Sequence, residues 1–364
     1  MVSASSSNDL QSELHTSKDG EFVNITKEEK PSSSVHENGG FQDIREHLIR
    51  SGLPEESAKI IMASWRRSTQ DQYGSHIKKW LRFCGQEQIN SIKPSMNQVI
   101  LFLTKLHTEK YSYRTISAAK SAISTYISLF HDMDIGSDRK IKRFMKGIFE
   151  INPALPKYNA TWDVKQVLNC IKGMPTNDLS LRLLSVKLVV LLALTTGQRC
   201  QTLAALDIED LHIEQTCVKI RVTSVLKQTK PNSHLAEQFI EEYCHDSELC
   251  VVRALRIYLE KTNTLRNTSK LFITLQKPHG AVTSNTIARW IKLGLKLAGI
   301  NISTFSAHST RGASTSAVAS KSIPINTILK TAGWKRDCTF RTFYNKQISN
   351  DSSYSKAILS IVDD

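Results

Sequence analysis

No stretch of this sequence approaches the ~20 consecutive apolar residues that a membrane-spanning helix needs, so no membrane segment is expected. The N-terminus lacks a basic-then-apolar leader, which argues against secretion. There is no CxxC pair among the seven cysteines, Cys84, Cys170, Cys200, Cys217, Cys244, Cys250 and Cys338. An odd number without a leader fits free thiols in a reducing compartment. His245 beside Cys244 and Cys250 has some look of a metal site, but no second close ligand pair completes it, so zinc is disfavoured. No GxSxG elbow occurs, so the serines near position 309 lack the setting of a serine hydrolase. No internal repeat is visible.

Acidic residues are the scarcer sign, 34 against 48 Lys and Arg, for a formal charge of +14. The acids are also gathered at one end. Residues 1–40 carry seven of them and three lysines, a net of −4, which leaves +18 on the remainder. A folded body so basic points first to a polyanion, above all nucleic acid. At 40% hydrophobic residues the chain can bury real cores, and 364 residues fit two domains better than one.

Residues 1–40 hold nine serines and few aromatics, and read as a disordered tail. Residues 41–150 read as helices alone. Ser68-x-x-Asp71 and Ser95-x-x-Gln98 both have the capping-box shape ahead of apolar residues at helical spacing. Ile116, Ala119, Ile123, Ile127 and Phe130 form one apolar stripe, with Arg114 and Lys120 off it and free to meet phosphates. Arg139, Lys140, Lys142, Arg143 and Lys146 crowd a last helix. Residues 151–161, with Pro153 and Pro156, read as a linker. Residues 162–364 form the second domain. A long apolar helix runs from about Leu179 to Thr195 and ends at Gly197. Val218, Ile220 and Val222 alternate with Lys219 and Arg221 as a strand does. The fold class expected is mostly α with a small β-sheet: an N-terminal helical domain, then an α+β domain.

Four segments of the second domain carry candidate chemistry. Arg199 follows the helix-ending glycine and can be held rigidly toward a cleft. Lys227 and Lys230 occupy a turn after the strand, where a lysine can swing over a ligand and donate a proton. His308 and Arg311, three apart, share a face if helical, and a ring beside a guanidinium suits a phosphate with growing charge. Trp334 precedes Tyr344 by ten residues, and a tyrosine behind basic and aromatic residues can be a nucleophile.

The order Arg, Lys, His-x-x-Arg, Trp, Tyr resembles the tyrosine recombinases, also called the phage integrase family. The resemblance covers about residues 55–350. Leu249-Cys250-Val251-Val252-Arg253-Ala254-Leu255, and Ala332-Gly333-Trp334 through Phe343-Tyr344-Asn345, look most like recombinases of eukaryotic mobile elements. The chain shows no reverse-transcriptase or ribonuclease H region.

The resemblance implies a site-specific recombinase or integrase that breaks and rejoins double-stranded DNA through a 3′-phosphotyrosine, with neither metal nor ATP. It implies a core-binding domain at 41–150 and a catalytic domain at 162–364, closing on duplex DNA as a clamp, with four protomers assembling on two sites. By position Tyr344 is the nucleophile, Arg199 and Arg311 hold the phosphate oxygens, and His308 adds a hydrogen bond. Lys227 is the general acid, with Lys230 left open, either for that role or as a DNA contact. Trp334 stands where many bacterial members carry histidine. It can donate its indole N–H and buttress the tyrosine helix, but it cannot act as a base. A nuclear location is expected for a DNA enzyme of a eukaryotic element. The alternative is a DNA-binding protein that keeps the fold and has lost strand transfer. A type IB topoisomerase fits less well, because there the histidine follows the second arginine.

Overall fold

A computed structural model describes residues 41–153, 160–227, 229–231 and 234–346. The expected tail at residues 1–40 and residues 154–159 of the expected linker lie outside the described residues, as do 347–364. The described residues divide into two compact units, 41–153 and those from 160 onward. The fold is mostly helical with one small antiparallel sheet, as expected. No helix among the described residues is long and apolar enough to cross a membrane.

The first unit contains α1 (Phe41–Arg50), α2 (Glu55–Ala63), α3 (Arg67–Gln86), α4 (Met96–Thr108), α5 (Tyr113–Ser128) and α6 (Arg139–Ile151). Its core is one buried face from each amphipathic helix. Ile77, Trp80, Phe83 and Cys84 of α3 pack with Ile116, Ala119, Ile123 and Ile127 of α5. The reciprocal capping box at Ser95 and Gln98 forms and starts α4. The box expected at Ser68 does not form, because α3 starts at Arg67 and places Ser68 inside its first turn. No side chain caps the start of α3; Gln70, in its first turn, donates instead from Nε2 to the carbonyls of Met62 in α2 and of Trp65 just past it. On α6 the faces separate cleanly. Ile141, Met145 and Ile148 are buried, while Arg139, Lys140, Lys142, Arg143 and Lys146 are all exposed.

The second unit is built around α8 (Leu181–Thr196). Every residue from 183 to 194 is buried. A helix that is apolar all round must be covered all round, and four helices do this: α9 (Cys200–Ala205), α10 (Val251–Thr262), α11 (Ser284–Leu297) and α12 (Ser309–Ala319). Gly294 lets α11 come close, since a Cβ there would lie 2.6 Å from Cγ2 of Val190. Ser180 caps the start of α8, and Gly197, at φ 59°, ends it in the left-handed conformation that glycine favours.

Lys187 is the one buried charge of α8, Arg182 in its first turn being exposed. It is fully buried, donating to Glu248 at 2.8 Å and to the carbonyl of Met174 at 2.5 Å. Arg253 and Thr176 share the same carboxylate, which is held down to about 2. Burial outweighs the attraction to Glu248 at Lys187, and its pKa is lowered.

The sheet has strand order β1 (Leu211–Ile213), β2 (Cys217–Ile220), β3 (Gln238–Glu241). In β2, Val218 and Ile220 point into the core and Lys219 faces outward opposite His212 and Phe239. Val222, expected to extend the strand, lies beyond its end but is still buried. The unit is completed by α7 (Val164–Lys172), α13 (Ile325–Ala332) and α14 (Asp337–Phe343).

Candidate active site

The residues singled out in the second unit come together where α8, α12 and α13 end or begin. Helix α12 is the platform. Its sequence, Ser-Thr-Arg-Gly-Ala-Ser-Thr-Ser, is polar, yet Ser309, Thr310, Arg311, Ser314, Thr315 and Ser316 are buried. Small hydroxyl side chains permit this because they can bond to nearby backbone. Thr315 and Ser314 return to the carbonyl of Arg311, at 2.7 and 3.3 Å. Ser309 accepts from the indole of Trp162 at 2.9 Å and donates to the carbonyl of Ser306 at 2.7 Å. Ser309 is therefore a packing serine rather than a nucleophile.

His308 is the N-cap of α12, and Arg311 lies one turn along. Arg311 is 1% exposed. It donates through Nη1 to the carbonyl of Gly197 at 2.5 Å and through Nη2 to that of Ala332 at 2.6 Å. Both acceptors sit at helix ends terminated by left-handed glycines, Gly197 after α8 and Gly333 after α13. Gln198 ties the same ends together, its Nε2 donating to the carbonyl of Thr331 at 2.6 Å.

The Arg311 guanidinium lies over the ring of Trp334, 4.0 Å from its centroid. Burial, and then the charge of Arg199, push Arg311 down to about 9, so it is still cationic at neutral pH. Among the described residues, neither Nε of Arg311 nor Nε1 of Trp334 has a hydrogen-bond partner, although both are buried. A buried donor left unpaired costs about 1–3 kcal/mol. An anion is the natural acceptor for two such donors beside a cation.

Tyr344 follows α14, and its ring packs 4.5 Å from that of Trp334. Its hydroxyl lies 3.0 Å from Nε2 of His308. His308 is exposed, yet the protein crowding its ring lowers its pKa, and the charges of Arg311, Arg199 and Lys227 lower it further. A neutral imidazole at that distance can accept the tyrosine proton. A cavity of about 270 Å³ opens beside the pair, lined by Thr161, Gly312, Thr339 and Phe343, with Phe343 65% exposed. A larger cleft of about 740 Å³, in the first unit, contains none of these residues.

Arg199, the half-buried N-cap of α9, acts on both His308 and Arg311 through its charge. Lys227 is exposed and acts on His308 in the same way. Thus Arg199, Lys227, His308, Arg311, Trp334 and Tyr344 form one cluster; Lys230, three residues after Lys227, is also exposed. Arg114, exposed, and Lys120, half-buried, lie on α5 of the first unit. Among the described residues no group of three or more His, Cys, Asp or Glu could hold a metal ion.

Sequence reasoning missed what holds these groups in place: the two carbonyls that orient Arg311, Gly312 beside the tyrosine ring, and Ser316. Backbone acceptors leave no trace in a sequence, and a serine in a Ser/Thr-rich stretch looks like its neighbours.

The sequence pattern of the phage integrase family matches residues 162–350, just over half of the chain. The chain belongs to that family. A curated member of it, tyrosine recombinase XerA from Pyrococcus furiosus, is 26% identical over 179 residues. That match takes in 49% of this chain and 55% of XerA, so the chain spans about half the length of this relative. Similar solved structures include XerH site-specific recombinase bound to palindromic difH substrate, with a TM-score of 0.57 and 13% identity over 91% of this chain and 92% of that one. The Tn1549 transposon integrase in complex with transposon right end DNA gives 0.54 and 12% over 89% and 99%. A lambda integrase dimer bound to a core site gives 0.50 and 14% over 86% and 78%. At such identities the likeness is one of fold.

Proposed function

We propose that this protein is a DNA strand transferase whose nucleophile is Tyr344. The observation that carries the proposal is the tyrosine hydroxyl 3.0 Å from His308, beside a buried arginine with an unpartnered donor. In the proposed step, Oη of Tyr344 attacks a DNA phosphorus. The bond from phosphorus to the 5′-oxygen breaks and a 3′-phosphotyrosyl bond forms. The tyrosine proton passes to Nε2 of His308, and the 5′-oxygen takes a proton from Lys227. One phosphodiester replaces another, so the step is close to thermoneutral and its reversal rejoins a strand.

The charges favour this division of roles. A phenol with an ordinary pKa of about 10 is a weak nucleophile near neutrality. A nearby base and fixed cations are the two ways to help it, and both are present. Arg311 and Arg199 meet the charge that grows on the non-bridging oxygens, as oxyanion-hole donors do. Trp334 adds an N–H. A lysine beside other cations is a suitable acid for the leaving oxygen. Double-stranded DNA is the proposed substrate, with phosphate contacts by the basic residues of both units, Arg114, Lys120 and Lys230 among them, giving salt-dependent affinity. Lambda integrase has been solved as a tetramer bound to a Holliday junction, and assembly of four protomers on DNA is part of this proposal, as is origin from a mobile element.

The test uses a duplex selected by this protein from a random-sequence pool and nicked beside the scissile phosphate, so that a short fragment diffuses away. In EDTA, an SDS-resistant protein–DNA adduct is expected from the parent and none from Tyr344→Phe, at equal DNA affinity. Tight binding by the parent with no adduct would instead establish a protein that binds DNA and has lost strand transfer.

A further inference from the structure

We infer that Ser316 is a positioning residue for Tyr344: it anchors the tyrosine backbone so that the hydroxyl reaches His308. The inference rests on the reading of Tyr344 as the nucleophile.

Tyr344 is one residue past the end of α14, with φ −124° and ψ −24°, outside helical geometry. Its N–H still bonds back to the carbonyl of Phe340 at 2.8 Å. Its own carbonyl falls among the helix-end acceptors that no intrahelical donor reaches. Ser316 supplies the donor, with Oγ 2.6 Å from that carbonyl. The same Oγ accepts the N–H of Lys346 at 3.0 Å. One buried hydroxyl thus closes both sides of the turn that carries the tyrosine.

The placement on α12 is specific. Ser314 and Thr315 bond within their own helix, and Ser316 reaches across to another element. His308, Gly312 and Ser316 are spaced by four, which puts them on one face. That face follows the tyrosine along its length. His308 meets the hydroxyl and Ser316 meets the carbonyl. At Gly312 an added Cβ would lie 3.8 Å from Cδ1 of the ring. Eight residues of helix span about 12 Å. One rigid element therefore sets both ends of the nucleophile, and it also carries Arg311. Releasing the backbone carbonyl lets the turn, and with it the hydroxyl, shift although the ring still packs on Trp334, and a misplacement of about 1 Å can cost about 100-fold in rate.

The experiment compares the parent, Ser316→Ala and Ser316→Thr on the nicked duplex. Adduct formation by Ser316→Ala is expected to slow by roughly 30- to 100-fold, in line with such a misplacement, at unchanged DNA affinity and with a loss of stability far smaller than the loss of rate. Ser316→Thr keeps the hydroxyl and is expected to recover most of the rate. A substrate whose leaving 5′-oxygen is replaced by sulfur needs no proton on departure. It should rescue Lys227→Ala but not Ser316→Ala, which separates lost acid from misplaced nucleophile. Amide exchange at Lys346, read without any reaction, should quicken in Ser316→Ala alone. Parent-like cleavage or parent-like exchange in Ser316→Ala overturns the inference. So does a rate loss matched by equal losses of affinity and stability. A parent that forms no adduct overturns the reading of Tyr344 and this inference with it, while the exchange result still reports whether the hydroxyl holds the turn.

Discussion

The guanidinium of Arg311 sits over the indole of Trp334, 4.0 Å from the ring centroid, and the same ring packs 4.5 Å from Tyr344. Trp334 thus lies between the proposed phosphate-binding cation and the proposed nucleophile, touching both. A cation over a desolvated indole is worth about 2 kcal/mol.

Two functions of that side chain can be separated. Trp334→Phe keeps an aromatic face for Arg311 and Tyr344 and removes the N–H. Trp334→Ala removes both. We expect adduct formation to fall about tenfold in the first, the loss of one modest hydrogen bond, and by at least a further tenfold in the second. Single-turnover cleavage rates read the two steps. Equal rates in the two variants would mean that the ring contributes nothing beyond its donor.

His308 should titrate below 6.5, because the protein packed around it, and then Arg311, Arg199 and Lys227, all disfavour the imidazolium. It is then neutral at neutral pH and able to accept a proton. Cleavage should hold as pH falls to 6.5 and fail only as pH drops through the lowered value. Removing a named cation should move the midpoint back up, so Arg199→Ala should titrate higher than the parent. NMR of the His308 ring gives both midpoints. A parent midpoint at or above the ordinary value would contradict the crowding of cations.

Glu248 makes a separate prediction about stability. Its carboxyl is held from 4.5 to about 2 although burial opposes this, because Lys187, Thr176 and Arg253 all bond it. Its folded-state pKa is the lower one, so the unfolded chain binds more protons between 2 and 4.5. The contribution is complete above 4.5 and disappears as pH falls toward 2. It amounts to roughly 3 kcal/mol at most, less some screening at a carboxylate about a quarter exposed. Glu248→Gln should flatten the acid limb of stability against pH in urea unfolding. An acid limb of unchanged slope would show that other carboxylates produce it.

Much of this was legible in the sequence where periodicity or order carries information. The run through α8 reads as a buried helix because no face of it is polar. The box at Ser95 reads correctly because Gln98 and the apolar stripe follow at the right spacing. Ser68 misleads, since the same letters also occur inside a helix, and here α3 already starts at Arg67. The sheet was half visible. Strand β2 has only four residues, but its alternation runs on past its end to Val222, whereas β1 stops at three residues and β3, Gln-Phe-Ile-Glu, does not alternate. In the site, the order of polar residues could be read. What aims them could not: the carbonyls of Gly197 and Ala332 belong to every residue type, and the face shared by His308, Gly312 and Ser316 acquires meaning only once Tyr344 lies along it.

The two glycine-ended helices that meet Arg311 have an electrostatic consequence. Each presents one carbonyl at its end to the guanidinium, and a helix C-terminus carries about half a negative charge. Helices α8 and α13 together therefore provide a counter-field for a cation that forms no ion pair with a carboxylate among the described residues. A carboxylate would have occupied the fork of the guanidinium and competed with any incoming phosphate. Dipoles hold the cation in place while its full charge remains available. The left-handed turns at Gly197 and Gly333 thus let the protein keep a buried positive charge and reserve it for an outside anion.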